Sequence, residues 1–257
     1  MSSITRYTKN LIPYIFTHSR GHHKVTNIYK LVFSYLFKKS STSLVHLKFK
    51  NFGISLYSKG SGFTEVFCEK IYDANNNKKN PVIYDLGAHV GVYSIWCVQN
   101  FASPKIFSYE AFEGTYDICK KNIDPFSDKI SLKNVGITDE VGEAIITVGS
   151  HMGSNFVDFN ASKVEGELDH KIITSNLDTE MAKNGTDYID ILKMDIEGSE
   201  IRALKGVNLN KVGSIVLEYH FDDKGKKLEE ILGNTHKLVF YEEYSDNTSL
   251  IKYEPLK

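Results

Sequence analysis

One acid and two glycines give the first chemical signal in the chain. In "VIYDLGAHVGVYSIW", Val82 to Trp96, an apolar run ends at Asp85 and is followed by Gly87 and Gly91. An apolar run, a glycine turn and a second apolar run describe a strand that turns sharply into a helix around a ligand. A P-loop requires GxxxxGK[ST], but Val92 and Tyr93 follow Gly91. A dinucleotide turn requires GxGxxG, and here there are only two glycines. Asp85 repels a pyrophosphate and suits a ligand with positive charge or with hydroxyl and amino donors.

Further carboxylates follow at strand ends. Glu110 closes "IFSYEAF", where a carboxylate can accept both hydrogens of a ribose diol. In "YIDILKMDIEGSEIRALKGV", Tyr188 to Val207, strand alternation puts Lys193, Asp195 and Glu197 on one face, and Gly198 permits a tight turn into a helix. In "IVLEYH", residues 215–220, Glu218 and His220 share a face near the strand end. If the two strands are neighbours, Asp195, Glu218 and His220 converge. Two chemistries stay open. In one, His220 or Asp195 takes a proton from an attacking hydroxyl, with Lys193 balancing the acids. In the other, Asp195, Glu218 and His220 hold a divalent ion, Mg or Mn, that lowers the hydroxyl pKa. Glu197 and Glu200 are expected to favour the positive start of the following helix. His151 and His170 are substrate-side candidates in or near a long loop. No Ser/His/Asp set or reactive-cysteine setting is visible.

The elements that must position these groups fall into two parts. Residues 1 to about 43 read as helical, "LVHLKFKNFGISLYSKGSG" as a hairpin, and "FTEVFCEKIYDA" as helical. "NNNKKNP" is a loop that ends this lead-in. From Pro81, short apolar runs alternate with helical patterns, which implies a parallel sheet with helices on both faces and a ligand at the carboxyl ends of its strands. Residues 149–169 read as an irregular loop. The 257 residues, 41% hydrophobic, suffice for one large core with an appendage. The net charge of −1 gives no overall nucleic-acid footprint. Cys68, Cys97 and Cys119 form no CxxC pair, which argues against structural zinc or a disulfide framework and for a cytoplasmic, reducing setting. No run reaches the roughly 18 apolar residues of a membrane span. "NIYKLVFSYLFKK" reads as a helix packed on the domain, with peripheral membrane contact as the other option.

Five of these stretches resemble known sequences. "DLGAHVG" is similar to motif I of class I S-adenosylmethionine-dependent methyltransferases. Taken with "NVGITDEVGEAIITV", "SNLDTEM", "KMDIEGSE" and "IVLEYH", it resembles the FkbM family over about residues 60 to 257. Glu110-Ala111 departs from the family's usual Glu-Pro, and His89 stands where Asn is common. The resemblance implies a class I Rossmann-like α/β fold with a seven-stranded, mainly parallel sheet over 81–257 and a helical and hairpin extension over 1–80. It implies S-adenosylmethionine contacts from Asp85, Gly87, Ala88, His89, Gly91, Tyr93, Glu110, Ala111, Gly136, Ile137 and Asp195, with Asp195, His220 and Lys193 at the reaction. The implied acceptor is a hydroxyl on a sugar of a glycan, glycolipid or secondary metabolite. The competing readings are a catalytically silent cofactor- or glycan-binding scaffold and a nicotinamide-dependent oxidoreductase. A nucleic-acid methyltransferase is weaker, because no NPPY-like segment follows the fourth strand.

Overall fold

A computed structural model describes residues 7–37, 44–57, 62–74, 77–148, 155–156, 168–245 and 247–256. The described residues open with a π-helical turn, Tyr7–Leu11, then α1 (Ile12–His18), α2 (His23–Phe37) and the antiparallel pair β1 (Leu44–Lys48) and β2 (Gly53–Tyr57). The helical spacing expected near residue 65 is realised as a π-helical stretch, Thr64–Glu69. Next come β3 (Val82–Leu86), α3 (Val92–Asn100), β4 (Lys105–Tyr109), α4 (Glu113–Ile123), β5 (Ile130–Lys133), β6 (Gly136–Ile137), β7 (Gly142–Val148), β8 (Asn155–Phe156) and β9 (Leu168–Ser175). The chain continues with α5 (Leu177–Asn184), β10 (Ile189–Met194), α6 (Glu200–Lys205), β11 (Val212–Tyr219), α7 (Lys226–Leu232), β12 (His236–Ser245) and β13 (Thr248–Pro255).

Seven strands form the main sheet in the order β12-β13-β11-β10-β3-β4-β5. The run from β11 to β5 is parallel, and β13 joins β11 antiparallel, as β12 joins β13. Both faces are covered. Alternate side chains of each strand enter two different cores, as the period of two dictates. Ile83, Ile106, Ile191 and Val216 enter one core with α3 and α4. Tyr84, Phe107, Leu192 and Leu217 enter the other with α5, α6 and α7. Helix α5 is delimited by local chemistry: the Asn176 side chain accepts from the Thr179 N–H, and Gly185 ends the helix at φ 62°.

The first core also takes in Leu11, Ile15, Leu47, Ile54, Phe63 and Phe67. Asn122 of α4 pins β2 to it, accepting from the Ser55 N–H at 2.8 Å and donating to the Ser55 and Val90 carbonyls.

A second sheet, β6-β9-β7-β8, departs from the sequence reading. Residues 168–175 are a full strand, antiparallel to β7, where the sequence reading placed the end of a loop and no strand. Its register buries Ile172 and Thr174 and exposes Lys171 and Ile173. Of the rest of that expected loop, only Asn155 and Phe156 are described, so His151 lies outside the described residues. No described helix is long and apolar enough to cross a membrane.

Candidate active site

A cavity of about 540 Å³ lies beyond the carboxyl ends of β3, β4, β10 and β11. Gly87, at φ 72°, begins its floor, and a Cβ there would meet the Asp195 carbonyl oxygen at 1.7 Å. Only glycine lets the two strand ends approach so closely. Gly91, at φ 86°, starts α3 against Cys119 and Ile123. Between them His89 also has positive φ, 51°, an uncommon conformation at a ligand-facing turn.

Glu110 holds this turn. One carboxylate oxygen accepts from the His89 N–H at 2.8 Å, and the other accepts from the Phe112 N–H and the Thr115 hydroxyl. A carboxylate has about four acceptor sites, so three protein donors leave room for one more. Beside Glu110, Ala111 and Phe112 pack on Ala144, Ile146 and Ile172 of the second sheet. Phe112, Ile137, Ile146 and Ile172 make an apolar wall at this end of the cavity.

The other end is acidic. Glu65, Asp195, Glu197 and Glu218 line it. Tyr72, buried, donates to Glu218 at 2.6 Å and lies 3.2 Å from Asp195. Burial, then repulsion from Asp195, lifts Glu218 to about 7. The same two causes lift Glu197 to about 8. Glu197 has φ 50°, so it reaches the cavity through a strained turn and not through strand alternation, because β10 ends at Met194.

The structure brings Asp195, Glu218 and His220 together, one ligand atom of each lying within 4.8 Å of the others. His220 Nδ1 lies 2.9 Å from Glu200, and its Nε2 lies 3.4 Å from Glu197. Burial alone would lower the imidazole, but the Glu200 carboxylate overrides it and holds His220 at about 9. Glu200 is fully buried beneath His220. The sequence reading gave Glu200 a place at a helix start, where it stands as the first residue of α6, and the structure adds its contact with His220. Strand β11 lies beside β10, so the residue ending one strand reaches the first turn after the other.

Lys193 and Asp85 form the support behind the turn. Lys193 Nζ donates to the Gly87 and Leu86 carbonyls and sits 3.2 Å from Asp85. Asp85 is fully buried and accepts from Ser94 at 2.6 Å. Of the eleven expected cofactor contacts, Asp85 and Gly91 do not line the cavity and the other nine do. His89 lines the cavity, its ring 5.5 Å from that of Tyr57. Surrounding protein lowers its pKa, against the pull of Glu110 and Asp195. His170 packs on Phe112 at 5.1 Å, outside the cavity lining. Tyr57, Glu65 and Tyr72 were missed in the sequence, because folding brings them from the extension and no motif marks them.

The sheet order, the glycine turn after β3 and the cavity at the strand ends define the Rossmann-like fold of class I methyltransferases. Residues 85–240 match the methyltransferase FkbM domain model. The chain belongs to this family and is an S-adenosylmethionine-dependent methyltransferase. It is 26% identical over 176 residues to methyltransferase sdnD of Sordaria araneosa, covering 57% of this chain and 68% of that protein. It is 21% identical over 165 residues to the hexuronic acid methyltransferase AglP of Haloferax volcanii, covering 60% and 62%. The crystal structure of an FkbM methyltransferase from Methylobacillus flagellatus superposes with TM-score 0.48 at 13% identity, covering 97% of this chain and 60% of that one.

Proposed function

We propose that the chain transfers a methyl group from S-adenosylmethionine to a hydroxyl of a sugar-bearing acceptor, in a glycan, glycolipid or secondary metabolite. One observation carries the reading: a single cavity joins the Glu110 carboxylate and its apolar wall to the acidic cluster of Asp195 and Glu218. The donor set fits the cofactor. Glu110 keeps an acceptor site for a ribose hydroxyl, and Phe112, Ile137, Ile146 and Ile172 offer an apolar bed for a base. Gly87, Ala88, Tyr93, Ala111 and Gly136 complete the wall. Ser199 lines the cavity, and its Oγ is buried without a hydrogen-bond partner among the described residues. The bound cofactor supplies a methyl group already activated on a sulfonium, so the protein has to align the acceptor and take its proton.

Asp195 and Glu218 accept that proton. A carboxylate held near the working pH is an effective base, and Glu218 is held at about 7. Tyr72 fixes the carboxylate's direction. His220 at about 9 carries its proton at neutral pH, so it balances the acids and donates a hydrogen bond. Lys193, tied to the Gly87 carbonyl, fixes the cofactor turn, with Asp85 behind it. A cavity end lined by carboxylates favours an acceptor rich in hydroxyl donors. The sugar acceptor of the Haloferax relative, by its name, points the same way. The three free cysteines agree with a cytoplasmic setting.

A divalent ion on Asp195, Glu218 and His220 is the second reading, favoured by their spacing. A proton and a divalent ion compete for the His220 imidazole, and the chelator comparison decides between the two readings. Incubation with labelled S-adenosylmethionine and glycan fractions, with and without a chelator, tests both. Label is expected in glycan, unchanged by the chelator. Label in sugar-free lipid or in protein alone contradicts the acceptor class, cofactor binding without any turnover leaves a silent scaffold, and loss of turnover in chelator selects the metal.

A further inference from the structure

The net charge of −1 hides a strong asymmetry. Residues 1–64 contain ten Lys or Arg and no Asp or Glu, whereas residues 65–257 contain 21 Lys or Arg against 32 Asp or Glu. Such a division marks a chain whose two parts face different partners. Of the ten cations, Lys9, Arg20, Lys24, Lys30, Lys48 and Lys50 lie in the described residues, and all but the half-buried Lys24 are exposed. Lys30 folds over β1 onto the His46 carbonyl, and Lys50 reaches the Thr17 carbonyl, so both find backbone oxygen and keep their charge unneutralised there. The local field is felt by the neighbouring histidines. Desolvation and then Lys30 and Lys48 lower His46, and desolvation, His22, Lys48 and Lys30 lower His23.

The helices on either side of Arg20 also expose apolar side chains. Asn27 marks the inner face of α2, buried and bonded to Ser19 and to the Lys48 backbone of β1. Val25 and Tyr29, two positions to either side, therefore point outward, 69% and 65% exposed. Phe16 on α1 is 50% exposed. Helices α1 and α2 are joined through Arg20 and Gly21.

We propose that α1, α2 and the turn between them form a docking surface for an anionic lipid membrane. Cations and exposed apolar side chains carried on the same short helices are what an interfacial surface needs. The cations are drawn to lipid phosphates, and the apolar groups leave water at the acyl boundary. Nucleic acid satisfies the charge and can stack on Tyr29 and Phe16, whereas a bilayer also takes up the aliphatic Val25. The extension also lends Tyr57, Glu65 and Tyr72 to the cavity, so the proposed surface and the cavity share one packed unit.

Sedimentation of the full chain with vesicles tests this. Vesicles of phosphatidylcholine with phosphatidylglycerol are expected to carry the protein down at physiological salt, and vesicles of phosphatidylcholine alone are not. The combined variant Lys9→Gln, Arg20→Gln and Lys24→Gln is expected to weaken binding about a hundredfold, at roughly fivefold per cation. Its affinity for S-adenosylhomocysteine is expected to stay unchanged. If the triple variant fails to fold, Arg20→Gln alone, in a turn, should show the roughly fivefold loss. Failure of the wild type to bind anionic vesicles, equal binding of wild type and variant, or capture of an RNA oligonucleotide in place of vesicles overturns the proposal. The cofactor measurement reports separately on the methyltransferase site.

Discussion

His220 shows how a single buried neighbour sets a residue's chemistry. Burial by itself would keep the imidazole neutral, yet Glu200 beneath it holds the proton up to about 9. Exchanging Glu200→Gln removes that negative charge. The His220 titration, followed by NMR, is expected to move down by one unit or more towards the ordinary value near 6.5. The sign follows from linkage. A raised histidine contributes stability below about 6.5 and loses it as pH rises through about 9, so the variant loses stability at neutral pH and converges on wild type above pH 9. An unmoved titration would show that Glu200 does not govern His220. Nothing in the local sequence distinguishes Glu200 from an ordinary helix-start acid. Its burial under His220 exists only once β10 and β11 lie side by side. Asp195, Glu218 and His220 were readable because each sits at or just past a strand end, the position that parallel sheets turn towards ligands. Tyr72 was not readable, since its place beside Glu218 is made by packing across 146 residues of chain.

At the level of elements, the parallel strands were legible because their apolar runs are short and bounded by turn-formers. Strand β9 was not. Ile172 and Ile173 are adjacent, so the alternation is blurred, and one of the two is exposed. The elements around β9 are joined by Glu180 of α5. It pairs with Lys133 of β5 at 2.7 Å and Lys183, and accepts from Ser175 of β9. These partners overcome its burial and hold the carboxyl down to about 2. The depressed acid contributes stability above about 4.5 and loses it as pH falls towards 2. Glu180→Gln is therefore expected to cost roughly 2 kcal/mol near pH 7, discounted for its half-exposed lysine partners. The gap from wild type should narrow as pH falls from 4.5. Melting curves across that range check it, and a gap independent of pH would place the cost in packing alone.

Over the whole molecule, composition allowed for one large core with an appendage, but the net charge misrepresented the surface. A near-neutral total comes from a basic first 64 residues without Asp or Glu, set against an acidic remainder. The extension shares the first hydrophobic core with the sheet and supplies Tyr57, Glu65 and Tyr72 to the cavity. Its role was unreadable from local pattern because the signal is a long-range absence of acids and not a motif. The central claim is that the cavity between Glu110 and Asp195 holds S-adenosylmethionine. Isothermal calorimetry with S-adenosylhomocysteine, run beside NAD, tests it most directly. The account predicts saturable one-to-one binding of S-adenosylhomocysteine and no heat from NAD. Binding of NAD in its place, or no binding of S-adenosylhomocysteine, would contradict it.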